Sequence, residues 1–160
     1  MPKIDNLISS LDATSTLRSR VVWLVGMPGS GKTSMLYSVL DKHLNYQYIN
    51  INKLLCGKLL DEAPASRIFV GSTYLSDLLS PITNGAWLVD NIEILFSREL
   101  KVPVVDRLKM IAQQAPLIVA WPGRFENDRL IYGDRNHPDY QEYPLDSPVV
   151  VDLNNTKNQG

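Results

Sequence analysis

The chain has one cysteine, two histidines and a net charge of only −1, and each scarcity removes a class of function. Cys56 alone can build neither an intrachain disulfide nor a cysteine-based zinc site, and it fits a reduced, cytoplasmic setting. It falls on an apolar helix face and reads as a core residue. Neither His43 nor His137 has a second ligand at metal spacing, so both read as structural or exposed. No apolar run approaches the roughly 18 residues that a membrane helix needs. The N-terminus lacks the basic-then-apolar layout of a signal peptide. The reading is a cytoplasmic protein with no membrane partner. Near-neutral charge advertises no polyanion partner, although it leaves a local basic patch, and hence DNA contact, open.

What is present is ordinary globular composition, 44% hydrophobic and 21% charged over 160 residues, enough for one domain with a sizeable core. Ile4, Leu7, Ile8 and Leu11 follow the i, i+3, i+4, i+7 spacing of an amphipathic helix, giving an N-terminal helix over 1–13. Val21 to Val25 is a continuous apolar run, as a parallel strand buried on both faces requires. Met35, Leu36, Val39 and Leu40 then line a helix running to about His43. Tyr46 to Ile51 reads as a strand. Asn52 reads as the cap of a short helix that ends before Pro64. Ser66 reads as the cap of a further helix whose apolar positions are Phe69, Val70, Tyr74, Leu75, Leu78 and Leu79. Buried strands follow at Ala86–Val89 and Pro116–Ala120, separated by a helix from about Val102 to Gln114. Val149 to Val151 supplies the last core strand. This alternation predicts an α/β protein with a mainly parallel five-stranded sheet between helices. It forms one domain over 1–153, followed by a flexible tail at 154–160.

The chemistry is announced by Gly26-Met27-Pro28-Gly29-Ser30-Gly31-Lys32-Thr33, a complete Walker A pattern between a buried strand and a helix. Glycines are needed there because backbone N–H groups must turn inward around phosphate oxygens, where side chains would obstruct. Lys32 is placed to reach the β- and γ-phosphates and Thr33 to ligate Mg²⁺. The start of the following helix directs its positive dipole end at the same phosphates. The predicted nucleotide-binding set is Gly26, Pro28, Gly29, Ser30, Gly31, Lys32, Thr33 and Ser34, with ATP and Mg²⁺ as ligands. The bland alternative is a glycine-rich turn.

A second half of such a site is an acid at the tip of a neighbouring buried strand. Asp90, directly after Ala86-Trp87-Leu88-Val89, fits a Walker B role as metal ligand with Thr33; otherwise it is a turn or cap aspartate. Many ATPases follow that aspartate with a glutamate that activates water. Here Asn91 follows, which orients water but cannot take its proton. Glu93 lies two positions on and, in an extended segment, shares a face with Asn91. Lys32, Asp90, Asn91 and Glu93 are the catalytic candidates. Arg98, Arg107 and Arg124 are candidate arginine fingers near the C-terminal edge of the sheet, each weighed against a solvated surface arginine. The polar stretch 124–146 is an insertion carrying Phe125, Tyr132, Tyr140 and Tyr143. Arg129–Tyr132 reads as a short strand and Gly133–Pro138 as a turn. Its aromatics either cover the end of the sheet or form a docking surface for protein or single-stranded nucleic acid. Asp128, Asp134, Asp139 and Glu142 argue against nucleic acid.

The Walker loop, Leu88-Val89-Asp90-Asn91-Ile92-Glu93-Ile94-Leu95-Phe96, Val119-Ala120-Trp121-Pro122-Gly123 and the stretch Gly133 to Tyr143 with His137-Pro138-Asp139-Tyr140 together resemble the BrxF family of small P-loop proteins. The likeness spans about Val21 to Val151. It implies a bacterial, cytoplasmic component of type III BREX phage-defence systems, oligomeric and acting with other BREX proteins. It also implies a three-layer P-loop NTPase fold with an AAA+-like ATP-binding core. Gly26, Gly31, Lys32, Thr33 and Asp90 carry over as nucleotide and Mg²⁺ residues. Two departures stand out: no helical lid follows the last core strand, and Trp121 lies near the place of a polar sensor at the end of the fourth strand. The expectation is an ATPase or ATP-dependent switch whose turnover is slow or completed by partners. A P-loop small-molecule or nucleoside kinase and a nucleotide-binding scaffold without turnover are the alternatives. The kinase lacks clustered lid arginines, and no Asn-Lys-x-Asp guanine reader is present for a GTPase.

Overall fold

A computed structural model describes residues 2–43 and 45–154, without the side chains of Pro2, Lys3, Phe69 and Ser72. Of the tail expected at 154–160, residues 155–160 lie outside what is described, as does the side chain of Phe69; Asn154 does not belong to a free tail, because its side chain bonds Met27 N and Gly123 O. The elements alternate: α1 (Pro2–Ala13), β1 (Val21–Gly26), α2 (Lys32–Lys42), β2 (Gln47–Asn50), α3 (Ile51–Leu60), α4 (Arg67–Leu78), β3 (Trp87–Asp90), α5 (Val104–Ile111) and β4 (Leu117–Glu126). Then come β5 (Arg129–Tyr132), β6 (Gln141–Pro144) and β7 (Val149–Asp152). Among the described residues no helix is long and apolar enough to cross a membrane.

Five strands run parallel in the order β2-β3-β4-β1-β7, while β5 and β6 extend β4 antiparallel. The first strand therefore lies between the fourth and the last, unlike either common doubly wound order, in which it neighbours the second. β1 is buried along its whole length, which explains its unbroken apolar sequence: its two faces feed two cores. Val21, Trp23 and Val25 pack with residues of α3, α4 and α5, whereas Val22 and Leu24 pack with Leu7 of α1 and with Leu36 and Val39 of α2. Helices thus cover both faces of the sheet.

Several local expectations change. The N-cap of α3 is Asn50, whose side chain accepts from Lys53 N at 3.0 Å; Asn52 lies in the first helical turn and its side chain is free for other work. Cys56 is exposed, because Ile51, Leu55 and Leu59 form the buried stripe of α3. Ser66 precedes α4 without a side-chain capping bond. The helix expected from Val102 to Gln114 is confined to Val104–Ile111.

The largest difference concerns β4, which does not stop near Ala120 but continues through Trp121 to Glu126. Its second half pairs with β5 through a two-residue turn in which Asn127 and Asp128 have φ of 52° and 59°. Two positive φ values are what a hairpin with the twist of its strands demands. Trp121 is therefore an interior strand residue, fully buried, donating from Nε1 to Ile131 O at 3.0 Å. It meets Trp23, Phe96 and Tyr143 edge to face, and Phe96 stacks on Tyr132. These aromatics lock the β4–β5–β6 extension onto the parallel sheet. Gly123 is required at the crossing: a Cβ there would stand 2.0 Å from Ile131 O.

Candidate functional site

The parallel strands β1, β2 and β3 end at Gly26, Asn50 and Asp90, and β4 passes Pro122 in register with Gly26. The C-terminal edge of a parallel sheet is where open α/β proteins bind ligands. The loop from Gly26 to α2 makes its turn through Gly29 and Gly31, at φ of 80° and 98°, values that glycine reaches without a Cβ penalty. It encloses one side of a cleft of about 710 Å³, within the usual range for small-ligand sites.

Lys32 Nζ donates to Gly26 O at 2.5 Å and to Met27 O at 3.2 Å. Burial lowers its pKa, partly opposed by the carboxylates of Glu93 and Asp90. Asp90 is only 2% exposed, and three donors satisfy it. Thr33 Oγ1 donates to Oδ2 at 2.7 Å, Tyr48 Oη to the same oxygen at 2.8 Å, and Asn91 N to Oδ1 at 3.0 Å. Thr33 and Asp90 are 57 positions apart in sequence, yet they meet at the mouth of the loop.

Among the described residues no group of three or more His, Cys, Asp and Glu could hold a metal ion. The Thr33 and Asp90 oxygens instead suit Mg²⁺, which takes one or two carboxylates and completes its shell with phosphate and water.

Comparison with models of known protein families, with curated proteins and with solved structures gives no match. The site is therefore read from its own geometry.

Beyond Asp90 the backbone turns sharply instead of staying extended as expected. Asn91 adopts a left-handed φ of 53°, which asparagine tolerates better than most residues. Glu93 opens a 3₁₀ turn over Glu93–Phe96. Both side chains line the cleft. Asn52 ties this turn down: its N donates to Asn91 O at 2.8 Å, its Nδ2 to Glu93 Oε2 at 2.8 Å, and its Oδ1 accepts from Ile94 N at 2.8 Å. The loop of β1 is tied from the other side by Asn154. Its Oδ1 accepts from Met27 N and its Nδ2 donates to Gly123 O, each at 3.0 Å.

Of the predicted residues, Pro28 to Ser34, Asp90, Asn91, Glu93 and Arg124 all face this one cleft; Gly26 lies directly behind it as an acceptor for Lys32. Arg98 and Arg107 do not line it. Arg98 is 4.0 Å from Asp139 on the surface, and Arg107 lies on α5 with Nε buried and without a partner. Sequence reading missed Tyr48, Asn52 and Asn154, and it missed that Tyr132, Gly133, Asp134 and His137 form a wall of the cleft. Tyr48 stacks on Tyr37 with ring centroids 4.6 Å apart. Its phenol is raised far above the ordinary tyrosine range, first by burial and then by its bond to Asp90.

Proposed function

We propose that this chain binds ATP with Mg²⁺ in the cleft at the C-terminal sheet edge, as a P-loop NTPase with an AAA+-like core. On this reading it is an ATP-dependent switch, oligomeric and active within a bacterial BREX defence complex. The observation that carries the nucleotide reading is the 2.7 Å contact between Thr33 Oγ1 and Asp90 Oδ2 beside the glycine loop. An exposed hydroxyl and a buried carboxylate converge where the glycine loop, the start of α2 and Lys32 can take phosphate. Mg²⁺ held by Thr33 and Asp90 would neutralise charge on the outer phosphates. Lys32 offers a cation whose desolvation strengthens its pairing with phosphate oxygens. Asn91 orients a water by hydrogen bonding, and Glu93 is the group able to accept its proton.

Turnover is the weaker half of the activity, because Glu93 is engaged by Asn52 at 2.8 Å. That bond also supports a second reading, a nucleotide-binding scaffold without turnover. A sizing run with and without ATP–Mg²⁺, paired with a phosphate-release assay with and without DNA and the partner proteins, separates the two. The switch changes oligomer size with nucleotide and releases phosphate when its partners are added. A strict monomer that never releases phosphate, alone or with partners, contradicts it.

A further inference from the structure

The stretch 124–146 has a structural job, covering the aromatic end of the sheet, but that job does not explain why its polar tip faces the cleft. β4 lies between β1, which carries the phosphate loop, and β3, which carries Asp90. Its continuation past Pro122 therefore rises between the loop and the acid. Thr33 and Asp90 mark the end of the cleft where the β- and γ-phosphates would lie. A hairpin rooted on β4 consequently stands over that end, not over the base. Arg124 is the first side chain of this root beyond Gly123 and lines the cleft; Tyr132, Asp134 and His137 of the following hairpin complete the wall.

We propose that Arg124 is a phosphate ligand within its own chain, and that hairpin β5–β6 makes the cleft distinguish a nucleoside triphosphate from a diphosphate. The proposal rests on the nucleotide reading above and assigns Arg124 a role in cis, not as a finger toward a neighbour. Arg124 Nη1 is held 3.2 Å from Glu126 Oε1. A guanidinium has five N–H donors, so it can keep this partner and still present others to a terminal phosphate. Asp134 is the opposing charge on the wall, and discrimination depends on Arg124 outweighing it. His137 Nδ1 accepts from Asp139 N at 3.0 Å, which leaves Nε2 as the ring's remaining polar atom. Asn154 bridges Met27 N of the loop and Gly123 O of β4, and Gly123 pairs with Tyr132 at the end of β5. The loop thus has a bonded route to the exposed tip at Asp134–His137.

The test titrates fluorescent ATP and ADP analogues, with Mg²⁺, into the full chain and into Arg124→Ala, Arg124→Lys and Lys32→Ala. Arg124→Ala should weaken ATP about ten- to hundredfold, the range for a charge-assisted bond, and ADP by less than about twofold. Arg124→Lys should restore part of the loss, since it keeps charge without the planar fork. An unchanged ATP-to-ADP ratio in a folded Arg124→Ala overturns the proposal while leaving nucleotide binding intact. Binding of neither nucleotide by the unaltered chain overturns both readings together. Hydrogen exchange on the unaltered chain gives an independent measure. ATP–Mg²⁺ should slow the amides of 133–140 and ADP should not, and equal protection by both rejects the role.

Discussion

Replacing Tyr48 by Phe removes one hydroxyl and leaves the ring that stacks on Tyr37. The bond lost is a 2.8 Å donation to the Asp90 carboxylate, a group 2% exposed. Hydrogen bonds to charged groups contribute about 1.5–3 kcal/mol. Tyr48 is itself half-buried, so solvent screening places the loss in the lower part of that range, about 1.5–2 kcal/mol. For a domain of this size each kcal/mol moves the melting temperature by about 2–4 °C, which predicts a drop of roughly 3–8 °C. In an Asp90→Asn background the bond is no longer charge-assisted, and the same substitution should cost about 1 kcal/mol less. Thermal unfolding of the four proteins at pH 7 gives the cycle. The phenol also supplies a pH signature. Because its folded pKa is raised, the stabilisation is complete below the unfolded value near 10 and is lost as pH rises above it. Tyr48→Phe should therefore flatten the fall in stability above about pH 10. A variant that melts within about 1 °C of the parent, with the same alkaline profile, would refute the placement of Tyr48 on Asp90.

Asp90→Ala should leave ATP affinity within about tenfold while abolishing Mg²⁺-dependent phosphate release, and normal hydrolysis in that variant would contradict its metal role. Gly123→Ala puts a Cβ 2.0 Å from Ile131 O and should cost about 2 kcal/mol or more as the β4–β5 pairing yields; an unchanged melt would show that the strands do not cross there. The exposed Cys56 should react with a thiol reagent in the native protein at a rate close to that in denaturant, and strong native protection would place it back in the core.

The parts legible in sequence are those whose chemistry is local. Gly29, Gly31, Lys32 and Thr33 are placed by spacing within one loop, and Asp90 is marked by the end of an apolar run, so their position at one cleft was readable. The parallel sheet was readable too, because Val21–Val25 and Leu117–Ala120 are apolar on both faces. Tyr48, Asn52 and Asn154 were not, since their roles exist only once β2 lies beside β3 and β7 beside β1. Cys56 misled because α3 carries apolar residues on more than one face, and periodicity alone does not choose between the stripe of Ile51, Leu55 and Leu59 and its neighbours. Strand β6 is polar and contains Pro144, so no pattern announces it. The Asn127-Asp128 pair between Phe125 and Leu130 was the available signal for the hairpin. Reading it would have carried β4 past Trp121, and the tryptophan would have been placed inside a strand.

Direct ATP binding tests the central claim most plainly. Isothermal titration of ATP–Mg²⁺ into the intact chain and into Lys32→Ala should show saturable one-to-one binding by the first. The second should lose at least about a hundredfold in affinity, equivalent to roughly 3 kcal/mol, while still unfolding in one cooperative transition. Equal affinity in the two proteins, or no binding by the intact chain, would contradict the assignment of the glycine loop as a phosphate site.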